Sequence, residues 1–276
     1  MAVRIPITMC HGTQPADTPA RPGVGVLTQD HFRAQMRLAH DLGFRSVSYD
    51  DLAAWRAGTA PLPARPIMLD FDHPVRTMRY QVREVLDEFG FRANLFVNTG
   101  LLDEMYAAPL PPPEARRLMT WEELGELRDA GWHLGAHTVS HPNLSQLSQE
   151  DPGGDRLRAE LDGNNATLKA RLGIEPRDFA FTGTSWSSAA EAVAALHLRF
   201  GRLWIVGAMY QVDGQPRRYA ELVGAAGPDE PDGGPPRAAR YVTREGDPYR
   251  LPSMDLQYLI HDLAAFRQYL TAALED

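Results

Sequence analysis

The sequence predicts an α/β fold in which strand and helix units alternate around a parallel sheet or barrel. Short runs with strand character alternate with helical patterns for most of the 276 residues. Side chains that can bind metal ions follow several of these strands, as they do at the functional rim of barrels. The chain is 43% hydrophobic, which is enough for a substantial core. Its length fits one large domain or two small ones.

The first half of the chain opens with a strand predicted at 5–9, and a loop rich in Pro and Gly leads to a helix at 29–42. Apolar residues recur at helical spacing in this helix, and Gly43 ends it. The elements that follow are predicted as a short strand at 45–48, a strand at 67–71, a helix at 78–89 and a strand at 93–97.

The second half continues the alternation. Thr120 and Glu123 have the spacing of a capping box, which predicts a helix over 120–130. A strand at 133–136 then ends directly before a histidine. The remaining elements are predicted as a helix at 155–172, a strand at 178–181, a helix at 189–198, a strand at 203–206 and a capping helix at 263–274.

Charge and cysteine content narrow the functional classes. A net charge of -8, with no long run of Lys or Arg, argues against a nucleic-acid partner. The single cysteine, Cys10, excludes an intrachain disulfide framework. The apolar stretch at the N-terminus is too short for a signal peptide, and no stretch is long enough to span a membrane. We therefore expect a cytoplasmic protein with no membrane partner.

Two short segments carry candidate metal ligands. His137 and His141 are four residues apart, so on one helical turn they would project from the same side and bind one ion. A third ligand would come from the run 70–73. In an extended strand Asp70 and Asp72 point the same way, whereas His73 points the other way unless the chain has already turned.

Such a site would suit hydrolysis of an amide. Three protein ligands with one open position lower the pKa of a bound water and polarise the carbonyl under attack. A neighbouring carboxylate then takes a proton from that water. The alternative interpretation is that His137 and His141 are unrelated surface residues, and that Asp72 and His73 cap the helix that follows them.

These segments resemble a known family, the polysaccharide deacetylases with a NodB homology domain, which form carbohydrate esterase family 4. The stretch 119–124 and the run His-Thr-Val-Ser-His-Pro-Asn-Leu at 137–144 are similar to the histidine motif of the family and the helix before it. The pair at 10–11 and the strand at 91–97 also resemble family segments. The resemblance implies a distorted, incomplete (β/α) TIM-like barrel.

The resemblance also implies a single domain over 1–276 and metal-dependent removal of an acetyl group from a sugar. Within this domain the stretch 223–240, rich in Gly, Pro, Asp and Ala, is expected to be a long surface loop or lid, and the helix at 263–274 a cap on the barrel.

The run 70–73 stands in the place of the family's first motif but departs from its usual form. Two alignments with the family therefore remain open. Aligning on Phe71 makes Asp72 the general base and His73 the third metal ligand beside His137 and His141. The competing alignment makes Asp70 the base and Asp72 the ligand. A site of three histidines would carry one more positive charge than an Asp-His-His site and should make the bound water more acidic.

The remaining motifs are also altered. The loop Thr182-Gly183-Thr184 stands where family members hold the oxyanion, and Gly183 could supply a backbone N–H for it. The arginine that orients the base in many members is replaced by Ala180.

His261 resembles the histidine that acts as general acid in the family. The run 249–255, however, resembles another C-terminal segment of the family that precedes a terminal helix. In that second alignment His261 would lie on the last helix. His11 is expected to make a polar contact with the substrate at the site. Trp186 follows a loop that faces the site and is expected to contact the substrate as well, together with Thr182, Gly183 and Thr184.

The leading hypothesis is a metal-dependent deacetylase acting on a small-molecule or oligosaccharide acetylamino substrate. Zinc is the default ion for three nitrogen ligands, and cobalt, nickel or iron would also suit imidazoles. Two alternatives remain. The altered motifs fit a non-catalytic carbohydrate- or metal-binding protein, and distant relatives such as allantoinases open cyclic amides on a similar barrel.

Overall fold

A closed parallel barrel forms the centre of the molecule. The structure is a computed structural model that describes residues 3–275. Within that range seven parallel strands hydrogen-bond into a ring, and an additional short strand pairs with the start of one of them. The α/β barrel expected from the sequence is therefore confirmed.

The strands alternate with helices along most of the chain. The strands are β1 (Ile7–Cys10), β2 (Arg45–Ser46), β3 (Pro66–Asp72), β4 (Asn94–Val97), β5 (His133–Ala136), β6 (Asp178–Ala180), β7 (Ser185–Trp186), β8 (Phe200–Ile205), β9 (Met209–Val212), β10 (Gln215–Arg218) and β11 (Leu251–Asp255). The order around the ring is β1, β11, β8, β6, β5, β4 and β3, and β3 closes onto β1.

The helices lie between the strands in sequence. They are α1 (Gln29–Asp41), α2 (Tyr49–Arg56), α3 (Arg83–Glu88), α4 (Gly100–Tyr106), α5 (Trp121–Asp129), α6 (Leu144–Glu150), α7 (Asp155–Leu172), α8 (Ser188–Ala194), α9 (Tyr219–Leu222) and α10 (Leu263–Ala272). A π-helical turn, Met78–Val82, leads into α3. Among residues 3–275 no helix combines the length and apolar character needed to cross a membrane.

Alternating side chains divide the core in two. Residues such as Phe71, Leu95 and Leu203 face outward and pack against the helices in one large apolar cluster. Residues at the alternate positions of the same strands, such as Met68 and Phe96, face the inside of the barrel. The inward cluster contains Ile7, Met68, Phe96, Ala180, Phe200 and Leu251. It fills the N-terminal part of the barrel, so the carboxyl ends of the strands are left for polar groups.

A small second sheet was not predicted. Strands β9 and β10 form an antiparallel hairpin, and β9 also pairs with β7. Asp213 and Gly214 make the turn with φ angles of 48° and 79°, the conformation that an Asp-Gly pair favours in tight hairpins. The Tyr210 hydroxyl of β9 donates to the Gly183 carbonyl over 3.2 Å, which ties the sheet to the loop after β6.

Several predicted boundaries shift in the structure. The capping box of Thr120 and Glu123 is present and starts α5 as expected. Strand β8 begins at Phe200, three residues before its predicted start, and therefore includes Arg202. The stretch 223–240 contains a 3-10 turn, Arg237–Ala239, and Arg240 binds Asp232 at 2.6 Å.

Candidate metal centre and active site

Three histidines converge at the carboxyl ends of the barrel strands. One ligand nitrogen from each of His73, His137 and His141 lies within 4.8 Å of the others, close enough for all three to bind one ion. His73 follows β3 directly, and the other two follow β5. The centroids of the His73 and His141 rings are 4.8 Å apart, as are those of His137 and His141.

The backbone that brings them together is not the predicted one. His137 and His141 do not share a helical turn, because the chain between β5 and α6 is a loop. Thr138 and His141 have φ angles of 65° and 58°, and His73 has one of 66°. This left-handed conformation is unfavourable for residues other than glycine and concentrates at functional sites. At His73 it supplies the turn that moves the ring to the side occupied by Asp72.

Neighbouring oxygens fix how the rings face. The Nδ1 atom of His73 lies 2.7 Å from Asn98 Oδ1, and that of His137 lies 2.8 Å from the Ala180 carbonyl oxygen. Both contacts direct the Nε2 atom inward. His137 Nε2 is fully buried and has no hydrogen-bond partner within the described residues. A buried, unpaired nitrogen beside two more imidazoles is a good match for a metal ion.

Burial also keeps two of these imidazoles uncharged. It lowers the pKa of His137 well below the ordinary value. Burial, followed by the neighbouring His73, lowers the pKa of His141 to about 4. Neutral imidazole is the form that binds metal ions, so these two side chains would need to lose no proton to bind one at neutral pH.

Two side chains of α7 hold the histidine loop. The Glu160 carboxylate accepts from the backbone N–H groups of Val139 (2.9 Å) and Ser140 (2.8 Å). Asn164 is completely buried, and its Oδ1 accepts from the His137 N–H at 3.3 Å. Neither residue was predicted from the sequence, since both lie in a helix that carries charged residues along much of its length.

Asp72 lies beside the histidine cluster. Its Oδ2 is 3.8 Å from His137 Nε2, and its other oxygen accepts from Arg202 Nη2. Burial would raise the pKa of Asp72, but Arg202 and His137 outweigh that effect, so the pKa lies well below the usual value. The side chain is therefore a carboxylate at neutral pH.

Asp70 lies two residues before Asp72 on β3, so its side chain also points into the barrel interior. It accepts from the Tyr49 hydroxyl at 2.7 Å and from Asn94 Nδ2 at 2.9 Å. Burial raises its pKa to about 6, against the opposing effect of Arg202. Asp70 thus makes its hydrogen bonds with interior residues, whereas Asp72 faces the histidine cluster.

His11 joins the site from the end of β1. Its ring stacks on that of His73 at 5.2 Å and meets the edge of Trp204 at the same distance. Burial, opposed by Asp72, lowers the pKa of His11 to about 4. The Trp204 indole donates to Asp255 at 2.7 Å, and burial raises the pKa of Asp255 to about 7.

The loop after β6 lies next to the histidine loop. Thr182 Oγ1 donates to the Pro142 carbonyl, which joins the two loops. Gly183 has a φ of 59° and Thr184 is partly exposed beside it. Trp186 was expected to face the substrate, but its side chain is buried, with 4% of its surface exposed. Its indole N–H donates to Glu191 at 2.9 Å, so it supports the loop from behind.

His261 is not brought to the cluster. Its ring stacks on His31 with a centroid distance of 4.3 Å, and its Nε2 lies 3.3 Å from the Val26 carbonyl oxygen. It directly precedes Asp262, which caps α10. The expectation that His261 supplies a proton at the site therefore has no support from its contacts.

Other site residues could have been found from the sequence. Asn98 follows β4 directly, so the rule that polar residues after strands form the site applies to it as well. Arg202 is a charged residue inside an apolar strand, which is itself an unusual pattern. The position of Arg202 against Asp72 requires the folded barrel.

A small cavity opens beside the cluster. Its volume is about 240 Å³, and it lies between His73 and His141 on one side and the first turns of α4 on the other. Asn98, Leu101 and Glu104 also line it. Typical small-molecule pockets start at about 300 Å³, so this cavity fits a group no larger than a single sugar ring.

Comparison with known proteins identifies the family. Residues 59–200 match the family model described as polysaccharide deacetylase. The chain belongs to the polysaccharide deacetylase family. The resemblance predicted from the sequence is therefore confirmed, and membership supports deacetylation of a carbohydrate. No curated protein matches the sequence significantly.

Solved structures of deacetylases share the fold. The Streptococcus pyogenes deacetylase PplD in complex with acetate aligns over 100% of both chains, with 17% identity and a TM-score of 0.70. IcaB from Ammonifex degensii aligns over 99% of this chain and 98% of its own, with 17% identity and a TM-score of 0.67. BC0361, a polysaccharide deacetylase from Bacillus cereus, aligns over 99% of this chain and 69% of its own, with 14% identity and a TM-score of 0.65. At these identities the likeness establishes the fold.

Proposed function

We propose that this protein is a metal-dependent hydrolase that removes an acetyl group from an amino sugar. The observation that carries the proposal is the cluster of His73, His137 and His141, with the Asp72 carboxylate 3.8 Å from His137. In this assignment His73 is the third ligand and Asp72 is the general base. The hydrogen bonds of Asp70 to Tyr49 and Asn94 favour this alignment over the one with Asp70 as base.

The residues would divide the reaction as follows. A divalent ion, when bound, would acidify a water molecule and polarise the acetyl carbonyl. Asp72 would take a proton from the water as the water oxygen bonds to the carbonyl carbon. The C–N bond would then break, and the proton held on Asp72 would pass to the leaving nitrogen. The products are acetate and a free amine.

The surroundings of the cluster would hold the substrate. His11 lies against His73, so it is placed to hydrogen-bond to the leaving group. The Gly183 N–H is proposed to stabilise the oxyanion, with Thr182 and Thr184 shaping that loop. The cavity between His141 and α4 would accept one sugar ring of an oligosaccharide. Zinc is the expected ion, since three imidazoles suit it.

Acetate release tests this function. The probe is a set of N-acetylglucosamine oligosaccharides of one to six units, offered to zinc-loaded protein. We expect release that disappears with a chelator and falls by about 1,000-fold or more in His137→Ala, which loses a buried ligand. The matched control is His197→Ala, because His197 is exposed on the outside of the barrel.

Zinc affinity is the second readout, obtained by competition with a chromophoric chelator. His137→Ala should lose affinity, and His197→Ala should keep it. Unchanged turnover in His137→Ala would disprove the mechanism. Tight zinc binding by the wild type without acetate release from any of the probes would instead favour a binding protein.

A further inference from the structure

Arg202 carries a charge inside the barrel. The side chain is completely buried and projects from β8, and its guanidinium lies 5.0 Å from the centre of the Phe96 ring. A buried guanidinium is stable only when carboxylates or other acceptors pair with it. Its partners are therefore a specific feature of the interior.

The partners are two carboxylates on one strand across the barrel. Arg202 Nη2 donates to Asp72 Oδ1, and Arg202 Nε lies 3.6 Å from Asp70 Oδ2. Strands β3 and β8 are not neighbours in the ring. The contact therefore spans the inside of the barrel, and neither residue could keep it if the other strand moved.

Asp70 is held firmly from the opposite side. The Tyr49 hydroxyl donates to Oδ2 and Asn94 Nδ2 donates to Oδ1, so both oxygens already have donors. Tyr49 and Asn94 are themselves fully buried. These five residues form a chain of contacts from the interior to the site: Tyr49 and Asn94 contact Asp70, Asp70 contacts Arg202, and Arg202 contacts Asp72.

We propose that Arg202 is a positioning residue that fixes the Asp72 carboxylate beside the histidine cluster, and that Asp70 anchors Arg202. The inference rests on the proposed function of Asp72 as the general base. One Asp72 oxygen is bound to Arg202, so only the other is free to face His137 and the reacting water. The planar guanidinium suits this task because its donors have fixed directions: Nη2 hydrogen-bonds to Asp72, while the Asp70 carboxylate lies within ion-pair distance of Nε.

The test compares four single variants of the zinc-loaded protein with the oligosaccharide probes. Arg202→Met removes the charge at similar length and should lower kcat by about 100-fold, with KM and zinc affinity changed less than about threefold. Arg202→Lys keeps the positive charge but not the planar, branched guanidinium. Its kcat should be about tenfold higher than that of Arg202→Met. Asp70→Asn should lower kcat less than Asp72→Asn does, because Asp70 acts only through Arg202.

Arg199→Met is the matched control. Arg199 immediately precedes β8 and binds Asp178 at 2.6 Å at the other end of the barrel. It should keep kcat within about threefold of the wild type, even if it unfolds more easily. A loss of kcat in Arg199→Met equal to that in Arg202→Met would overturn the inference. An Asp70→Asn loss as large as that of Asp72→Asn would also overturn it, in favour of Asp70 as base.

A stability cycle tests the contact without any activity. Urea unfolding of Arg202→Met, Asp72→Asn and the double variant gives the coupling between the two residues. We expect a coupling of about tenfold in the unfolding equilibrium constant, as for charged groups in direct contact. Additive effects would overturn the positioning role. If the wild type released no acetate, the proposed function would fail, while this cycle would still decide the contact between Arg202 and Asp72.

Discussion

His73 is the residue that distinguishes this site. A strand that continued past Asp72 would turn the next side chain to the outside of the barrel. The left-handed backbone at His73 turns it to the inside instead, where Asn98 fixes its ring. One residue in an uncommon conformation thus brings a third imidazole to the cluster and leaves Asp72 free for its proposed role as base.

His11 and His261 lie outside the cluster of three histidines, and we expect them to differ in their contribution to kcat. We expect His11→Ala to lower kcat for acetate release by about 10- to 100-fold, because it removes a polar group that stacks on His73. His261→Ala should keep kcat within about threefold, since its ring stacks on His31. Steady-state kinetics on the same oligosaccharides measures both. A larger loss in His261→Ala than in His11→Ala would restore His261 as the proton donor.

At the scale of elements, α7 supports the site although it contributes no ligand. Glu160 and Asn164 are four residues apart, so they project from the same face of this helix toward the histidine loop. A loop of this length would otherwise sample many conformations, and each would need to be excluded before the metal could bind.

Removing this support should loosen the loop. We expect Glu160→Ala to reduce zinc affinity by about 10- to 100-fold, because the N–H groups of Val139 and Ser140 lose their acceptor. Asp162→Asn is the control, as Asp162 is exposed on the same helix. Chelator competition measures both variants. Equal affinity in Glu160→Ala and the wild type would show that the loop holds its shape without α7.

The sequence predicted elements better than it predicted the contacts between them. Alternating patterns located most barrel strands, and the capping box located α5. The structure brings His137 and His141 together with His73, but the helical turn expected there was wrong, because left-handed residues make the turn. No local pattern reveals a positive φ at a histidine. The pairing of Arg202 with Asp72 depends on strands that lie far apart in the chain.

At the scale of the whole molecule, burial of the site makes stability depend on pH. The folded protein holds His141 with a pKa of about 4, whereas an unfolded chain titrates histidine near 6.5. Between these values the unfolded state binds more protons than the folded state does. The contribution of His141 to stability is thus complete above about pH 6.5 and is lost as the pH falls toward 4.

This dependence can be isolated with one variant. In the metal-free protein we expect the wild type to lose about 2 to 3 kcal/mol relative to His141→Asn between pH 6.5 and pH 4.5. Urea unfolding at both pH values gives the difference. The comparison also removes the opposite effect of Asp255, because burial, and not His141, raises the pKa of that carboxyl to about 7. Parallel losses in the two proteins would contradict the expectation.

The contact between Arg202 and Asp72 joins residues 130 positions apart in the chain. During folding, such a contact can form only after the entropy of closing a long loop has been overcome. Helices, whose hydrogen bonds are local, need no such closure and can form earlier. The Asp72 carboxylate therefore reaches its position beside His137 only once β3 and β8 face each other across the barrel. A partly folded chain would contain Asp72, Arg202 and the three histidines without holding them together.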